Sequence, residues 1–366
     1  MSEAEKTAPL RRGWTTGACA AGAARAAFEA SLTGQFPDPV PVALPKGLRP
    51  EFALAAHELG ADFARAGIVK DAGDDPDVTH GALILATVRR APQGAGVTFK
   101  AGEGVGTVTR PGLPLPVGEP AINPAPRAMI RANLEEVAAS LGARADAVVE
   151  ISVPGGEKIA ERTANARLGI VGGLSILGTT GVVIPYSCSA WIHSIHRGVD
   201  VARASGCAHI GAATGETSEA AIRARYRLPD HALIDMGDFV GGLLKYLHEH
   251  HVPRLTIAGG PAKMAKLAEG KLDLHSKRGA VDLAALAQRV AHAGGAASLV
   301  AAITNANSAL HAYELAETKG FNLPALIADG AWATAARLLA GQSCELEIMV
   351  VGRDGRVLAS NGMRRV

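Results

Sequence analysis

The chain has 366 residues, 48% of them apolar and 20% charged, an ordinary composition for a folded protein of about two domains. Its 37 Lys and Arg against 35 Asp and Glu leave a formal charge of +2, so no whole-molecule field points to nucleic acid or an anionic membrane. Global disorder and collagen-like repetition are excluded.

Cys19, Cys188, Cys207 and Cys344 lie far apart without CxxC spacing, which argues against a structural zinc site and a disulfide framework. Met1 to Arg12 is polar and lacks the apolar core of a signal peptide. Arg25 and Glu29 break the alanine run that follows, and no stretch approaches the ~20 apolar residues that cross a bilayer. A cytoplasmic protein with no membrane or nucleic-acid partner is expected, and association of several copies stays open.

In chain order, Thr15 or Thr16 is expected to cap a helix over Ala18–Ala30, where alanine, the best helix former, dominates. Pro37, Pro39, Pro41 and Pro45 forbid a helix in the next stretch. Short strands are expected at Phe52–Ala56, Phe63–Val69, Ala82–Val88, Val97–Lys100 and Val148–Val153, the last stopped by Pro154-Gly155-Gly156. Strands grouped with one or two helices predict an α+β domain over residues 10–165.

From 166 to 366 the rhythm changes. Ala208–Ala213 reads as a strand, and Gly215 opens a helix whose first turn carries Glu216 and Glu219, suited to its positive end. Ala232–Met236 is the next strand, with Asp238 as the expected N-cap of a helix through Leu247. Arg254–Ala258 then runs through Gly259-Gly260-Pro261 into a helix over Ala262–Ala268, with proline where a helix start tolerates it. Three strand–helix units in succession predict an α/β domain with a mainly parallel, Rossmann-like three-layer sheet. Val281–Ala293, Ser308–Thr318 and Ala331–Leu339 are expected helices. Leu346–Val351 and Val357–Ser360, joined across Arg353-Asp354-Gly355-Arg356, read as a closing hairpin.

Gly102–Thr109 imitates a dinucleotide fingerprint, but its third glycine is absent and Pro111 stands where a helix would begin, so a turn is the better reading. Gly173–Thr180 has the glycine spacing of a phosphate-binding loop with Thr179 in place of the lysine, and Gly181–Pro185 favours a strand over the required helix. ATP is thereby disfavoured, while Gly173, Gly178, Thr179 and Thr180 stay open as a loop for another polar ligand. Gly259 and Gly260 are better placed, because ligands of open parallel sheets bind beyond the carboxyl ends of strands. Lys263 follows in the first helical turn, either as a ligand contact or as a solvent-facing lysine.

Lys70–His80 places Asp71, Asp74, Asp75 and Asp77 within seven residues. Their repulsion should raise some of the pKa values unless a cation or hydrogen-bond donors compensate. The segment is either a solvated Asp/Pro turn or a general-base or ligand-orienting cluster with His80 as titratable neighbour; its spacing is not that of an EF-hand. His193, His196, His248, His250 and His251 read as surface groups. His275-Ser276, ahead of Lys277-Arg278, is more suggestive because it lies just beyond the Gly259-Gly260 unit. No hydrolase triad is recognisable.

Together, Arg12–Gly17, Lys70–Gly81, Gly104–Leu113, Glu119–Pro124, Gly172–Gly181, Gly215–Ser218 and Gly260–Gly270 with Leu274-His275-Ser276 resemble the cobalt-precorrin-5B C1-methyltransferase (CbiD) family of cobalamin biosynthesis. The resemblance covers roughly Leu10 to Gly362. It implies transfer of a methyl group from S-adenosyl-L-methionine to C-1 of a ring-contracted cobalt tetrapyrrole, giving cobalt-precorrin-6A in the anaerobic route to vitamin B12.

Such a transfer is an in-line displacement, in which an enzyme supplies proximity and alignment. A carboxylate against the sulfonium would stabilise the ground state most, so Asp71, Asp74, Asp75, Asp77 and His80 are expected to orient ligand or handle a proton. Cofactor contacts are expected at Gly259, Gly260 and Lys263, with Gly173, Gly178, Thr179 and Thr180 as a second loop. The acidic arms of a corrinoid call for Arg12, Arg110, Arg127, Lys263 and Arg278, with Thr15, Thr16, His275 and Ser276 beside them. The cobalt arrives with the substrate, so no protein metal site is expected. A nicotinamide-dependent reductase using the same strand–helix turn and a non-catalytic corrinoid carrier are the alternatives.

Overall fold

The computed structural model describes residues 9–366, which fall into two compact units, one ending at Ser187 and the other spanning Cys188–Val366. In the first unit the alanine run forms α1 (Thr16–Thr33). Thr15 caps it, its side-chain oxygen accepting from the Ala18 amide at 3.1 Å. Gly34 ends it at φ +78°, a left-handed conformation that carries no Cβ penalty in glycine. Fourteen of its eighteen residues are buried, so α1 is a core helix, apolar on all sides. Small side chains permit this: a Cβ at Gly22 would sit 2.7 Å from Ile68 Cδ1.

α1 lies on a sheet of β1 (Ala56–Leu59), β2 (Ala64–Val69), β3 (Leu83–Arg90), β4 (Val97–Ala101) and β5 (Ala147–Ser152). The spatial order is β1-β2-β3-β5-β4, antiparallel except for the parallel β5–β4 pair. α2 (Pro124–Ser140) packs on α1, and Arg25 of α1 reaches Asn133 and Glu136 of α2 at 3.4 and 3.2 Å. The sequence pattern does not announce α2, because Pro124 and Pro126 read as helix breakers. Both fall in its first turn, where the missing N–H has no helical partner to lose.

The division expected after residue 165 falls instead after Ser187. Segment 166–187 pairs backwards: Ile170–Val171 runs antiparallel to Thr107–Val108, and Val182–Val183 antiparallel to Gly13–Trp14.

The second unit begins with α3 (Cys188–Ala204), then alternates β6 (His209–Ala213), α4 (Glu216–Tyr226), β7 (Leu233–Asp235), α5 (Val240–Glu249), β8 (Arg254–Gly259) and α6 (Pro261–Ala268). Helices α7 (Leu283–His292), α8 (Ala297–Thr304), α9 (Ala309–Thr318) and α10 (Leu323–Leu338) precede β9 (Glu345–Val351) and β10 (Val357–Ser360). The sheet order is β7-β6-β8-β9-β10; the first four strands are parallel and β10 returns antiparallel, as the hairpin reading expects.

Alternate strand residues feed two apolar clusters. Ala212, Ile257 and Ile348 pack with Ile195, Leu243, Met264 and Ile327. Ala213, Ala258 and Met349 pack with Ala221 and Ile222 of α4. Two helical expectations need correction. The helix foreseen at Ala331–Leu339 starts earlier, at Leu323, because Pro324 lies in its first turn. Asp238 does not cap α5: Phe239 holds that position without a side-chain bond, and the Asp238 carboxylate turns to Lys263. Among the described residues no helix is long and apolar enough to cross a membrane.

The tight seat of α1 makes a specific outcome measurable. Ala24 is fully buried, so Ala24→Leu overfills the core and destabilises by about 1–3 kcal/mol, read as a lower urea midpoint.

Candidate functional site

In the first unit, tertiary structure gathers three of the sequence motifs around the short strand Gly13–Trp14. The Trp14 amide donates to the Asp71 carbonyl at 2.7 Å, and the Thr15 amide to the Gly181 carbonyl at 2.9 Å. The Thr16 hydroxyl both donates to the Leu177 carbonyl and accepts from the Leu177 amide, at 3.1 and 3.2 Å. Gly178, at φ +124°, lies so close that a Cβ there would be 2.4 Å from Thr15 Oγ1. Thr15 and Thr16 are buried and their hydroxyls are held by backbone; Thr179 is exposed, and Thr180 closes a turn onto Val182. Gly173 serves a different contact, its missing Cβ making room for the Gly104 carbonyl.

The acidic segment closes over the same strand. Arg11 forms a two-pronged pair with Asp71 at 2.5 and 2.9 Å, and the Arg11 amide donates to Asp74 at 2.6 Å. Asp75 accepts from the Tyr186 amide at 2.8 Å. Asp77 pairs with Lys70, whose ammonium is buried and also meets the Thr79 hydroxyl. His80 Nδ1 accepts from the Ala72 amide at 3.1 Å, so a neutral imidazole carries its ring proton on Nε2, and the side chain is about half exposed.

Compensation therefore wins over repulsion. The hydrogen bonds and charge of Arg11 hold the Asp71 carboxyl down at about 2. Burial pushes Asp77 up, but the charge and hydrogen bonds of Lys70, with help from Thr79, bring it below its usual range. The loop is a set of clasps on the N-terminal strand, a role the spacing did not reveal because Arg11 lies sixty residues away.

The predicted arginines divide. Arg127 is held internally, by the Ile122 and Pro120 carbonyls at 2.8 and 3.1 Å and by Glu119 at 2.9 Å. Arg278 pairs with Asp273 at 3.3 Å. Arg12 is exposed, and the stem of Arg110 lies over the position a Gly169 Cβ would take.

In the second unit the carboxyl ends of β6, β8 and β9 open into a cavity of about 650 Å³, within the ~300–1,000 Å³ typical of small-molecule sites. One wall is Thr214–Ser218 and Gly260–Lys263, the starts of α4 and α6; the other is Leu310, Tyr313, Glu314 and Glu317 of α9 with the hairpin turn from Val351 to Arg356. Free backbone N–H groups at two helix starts favour an anionic or electron-rich ligand group. Gly259 and Gly260 differ in kind. A Cβ at Gly259 would meet Thr214 at 2.9 Å and Met264 at 2.7 Å, so that glycine allows packing; nothing lies within 4 Å of one at Gly260.

Lys263 sits in the first turn of α6, where a cation opposes the macrodipole by about 0.3–1 kcal/mol. Its ammonium donates to the Thr214 carbonyl at 3.0 Å and pairs with Asp238 at 3.1 Å. His275, Ser276 and Arg278 are exposed and do not line this cavity. Sequence reasoning missed Asp238 as a partner, together with Tyr313, Glu314 and Glu317. The Gly215 turn was a visible signal for the first wall; nothing local marks α9 as the second.

Comparison with known proteins places the chain. Family models described as CbiD and as CbiD, C-terminal domain, match residues 3–185 and 273–362. A cobalt-precorrin-5B C(1)-methyltransferase of Agrobacterium fabrum is 64% identical over 94% of this chain and 91% of its own length. Proteins of the same name from a Bradyrhizobium species and Methylorubrum extorquens are each 59% identical, over 96% and 97% of this chain and 93% and 98% of theirs. A crystal structure of a cobalamin biosynthesis protein (cbiD) from Archaeoglobus fulgidus is 28% identical, with a TM-score of 0.40 over 74% of this chain and 83% of that one. The chain belongs to the CbiD family.

Two acid-side outcomes follow from the clasps. Asp77→Asn leaves the buried Lys70 ammonium without its carboxylate and costs about 3–5 kcal/mol in denaturant unfolding of the intact chain. Asp71 has a folded pKa near 2, below the unfolded value of about 3.9, so its stabilisation is complete above that value and lost as pH falls through 2. Asp71→Asn flattens the stability profile between those two pH values.

Proposed function

We propose that this protein methylates C-1 of cobalt-precorrin-5B with S-adenosyl-L-methionine as donor, giving cobalt-precorrin-6A in cytoplasmic cobalamin biosynthesis. The family and the names of its relatives support the reaction, and the cavity of the second unit supports the place of the donor. A Rossmann-like, three-layer reading of that unit fits the reversal of strand order at β6. Its neighbours β7 and β8 are reached by crossovers in opposite directions, and ligands of such sheets sit beyond the strand ends at that reversal.

The donor supplies an activated methyl on a positive sulfonium. In this reading, the amides opening α4 and α6 hold its carboxylate, and Gly260 leaves room for close approach of its backbone-sized end. Leu310, Tyr313 and Leu358 offer apolar surface to the adenosine end, with Glu314 and Glu317 as acceptors for hydroxyl groups. Transfer discharges the sulfonium, so the transition state is favoured where alignment keeps sulfur clear of the cavity's carboxylates, Glu216, Glu314, Glu317 and Asp354.

In the first unit, the remaining free positions carry the substrate side of the proposal. Arg12 and Arg110 are assigned to acidic arms of the macrocycle, and the exposed His80 imidazole to any proton transfer. Asp71, Asp74, Asp75 and Asp77 are assigned to shaping that surface, since each already accepts from a partner within the protein.

Incubation with cobalt-precorrin-5B and S-adenosyl-L-methionine should give a product in which one hydrogen is replaced by methyl, detected by mass. Binding of NAD(P)H with no methylated product would favour the reductase, and corrinoid binding alone the carrier. Gly260 is extended, with open space where a side chain would go, so Gly260→Val should keep the wild-type melting temperature. It should also raise the KM for the donor by roughly tenfold or more, because the new side chain enters the cavity.

A further inference from the structure

We infer that Lys263 is a positioning residue of the donor site, joined to Asp238, and not the group that binds the donor's carboxylate. This rests on the reading that the cavity takes the methyl donor. The ammonium of Lys263 spans three loops that leave neighbouring parallel strands. It donates to the Thr214 carbonyl after β6, pairs with the Asp238 carboxylate after β7, and belongs to the helix that follows β8.

Asp238 is itself anchored, its carbonyl accepting from the Leu274 amide at 2.9 Å, while the Gly241 amide three residues on donates to the Leu272 carbonyl at 2.9 Å. The lysine thus ties Thr214 and the turn at Gly260, both cavity-lining, to a fourth segment. One of the ammonium's three donors is committed to the Thr214 carbonyl, and its charge faces the buried Asp238 Oδ1, which has no hydrogen-bond donor of its own among the described residues and depends on this ion pair. Its charge is balanced by Asp238, which leaves anion binding to the backbone amides of α4 and α6. A cation at this helix start is unfavourable on its own, and the Thr214 carbonyl with the Asp238 charge accounts for its presence.

The two roles predict opposite signs for one substitution. If Lys263 bound the donor's carboxylate, Asp238→Asn would release an uncompensated cation into the cavity and tighten binding. In the positioning role, Asp238→Asn loosens the loops and weakens binding.

The test is calorimetric titration of S-adenosyl-L-methionine and S-adenosylhomocysteine into wild type, Asp238→Asn, Lys263→Met, Lys263→Arg and the Asp238→Asn/Lys263→Met double variant. Amide hydrogen exchange is measured alongside, without ligand. Lys263→Met and Asp238→Asn should each weaken binding roughly tenfold, and the double variant should be no weaker than Lys263→Met, because both remove one shared tie. Lys263→Arg, which can keep both acceptors, should restore most of the affinity. Exchange in segments 213–218 and 236–239 should speed up in Lys263→Met while the rest of the second unit stays protected.

Tighter or unchanged binding in Asp238→Asn overturns the assignment, as does unchanged exchange in those segments of Lys263→Met. Global loss of protection in Lys263→Met also counts against it, since the residue would then hold the unit together and not the site. A wild-type protein that binds neither ligand overturns the donor reading itself, and with it this role, whatever the exchange data show.

Discussion

The candidate donor site depends on how closely two strand ends approach each other. β6 and β8 are parallel neighbours, and the chain leaves each of them into a helix start: Thr214-Gly215 into α4, Gly260-Pro261 into α6. Gly259 has no Cβ, and one placed there would meet the Thr214 side chain at 2.9 Å. Any larger residue would wedge the two turns apart. With glycine the two sets of unpaired helix-start amides open onto one cavity, and the Thr214 amide closes the gap by donating to the Ala258 carbonyl at 3.0 Å. The amide-lined wall of the cavity follows from that convergence.

The first unit is organised by an equally local constraint, applied over long sequence distances. α1 is nearly all small residues and almost wholly buried, so its N-terminus cannot be solvated from outside and must be met by protein. Thr15 supplies the cap, and the Leu177–Gly181 loop covers the turn from the other side. The acidic segment then binds the strand that leads into the helix, through Arg11 and the Trp14 amide. Charge that looked excessive in one loop is neutralised by Arg11, sixty residues away and in solvent, and by the segment's own Lys70, buried in the core. The paired aspartates have low pKa values for that reason.

Much of the architecture was legible from local signals. The alanine run, the succession of strand–helix units and the Asp-Gly hairpin each follow from short-range preferences, and each element lies within a few residues of its expected span. α2 and α8 were not legible. α2 opens with two prolines, and α8 is an apolar run whose period does not distinguish helix from buried strand. Asp238 shows the same limit at the level of one residue. An aspartate just before a helix reads as a cap, yet a lysine 25 positions later offered it a stronger partner.

The sequence by itself determined the family, most elements and the glycine turns at the carboxyl ends of strands, because backbone preference and residue order are properties of neighbouring positions. Only the tertiary structure decided which polar groups remain free. It consumed Arg127, Thr15, Thr16 and Asp71 in internal bonds and left the His80 side chain exposed. It also brought α9 against the Gly215 and Gly260 turns. A side chain's availability depends on partners tens of residues away, and a pattern read along one chain carries no distance across the fold.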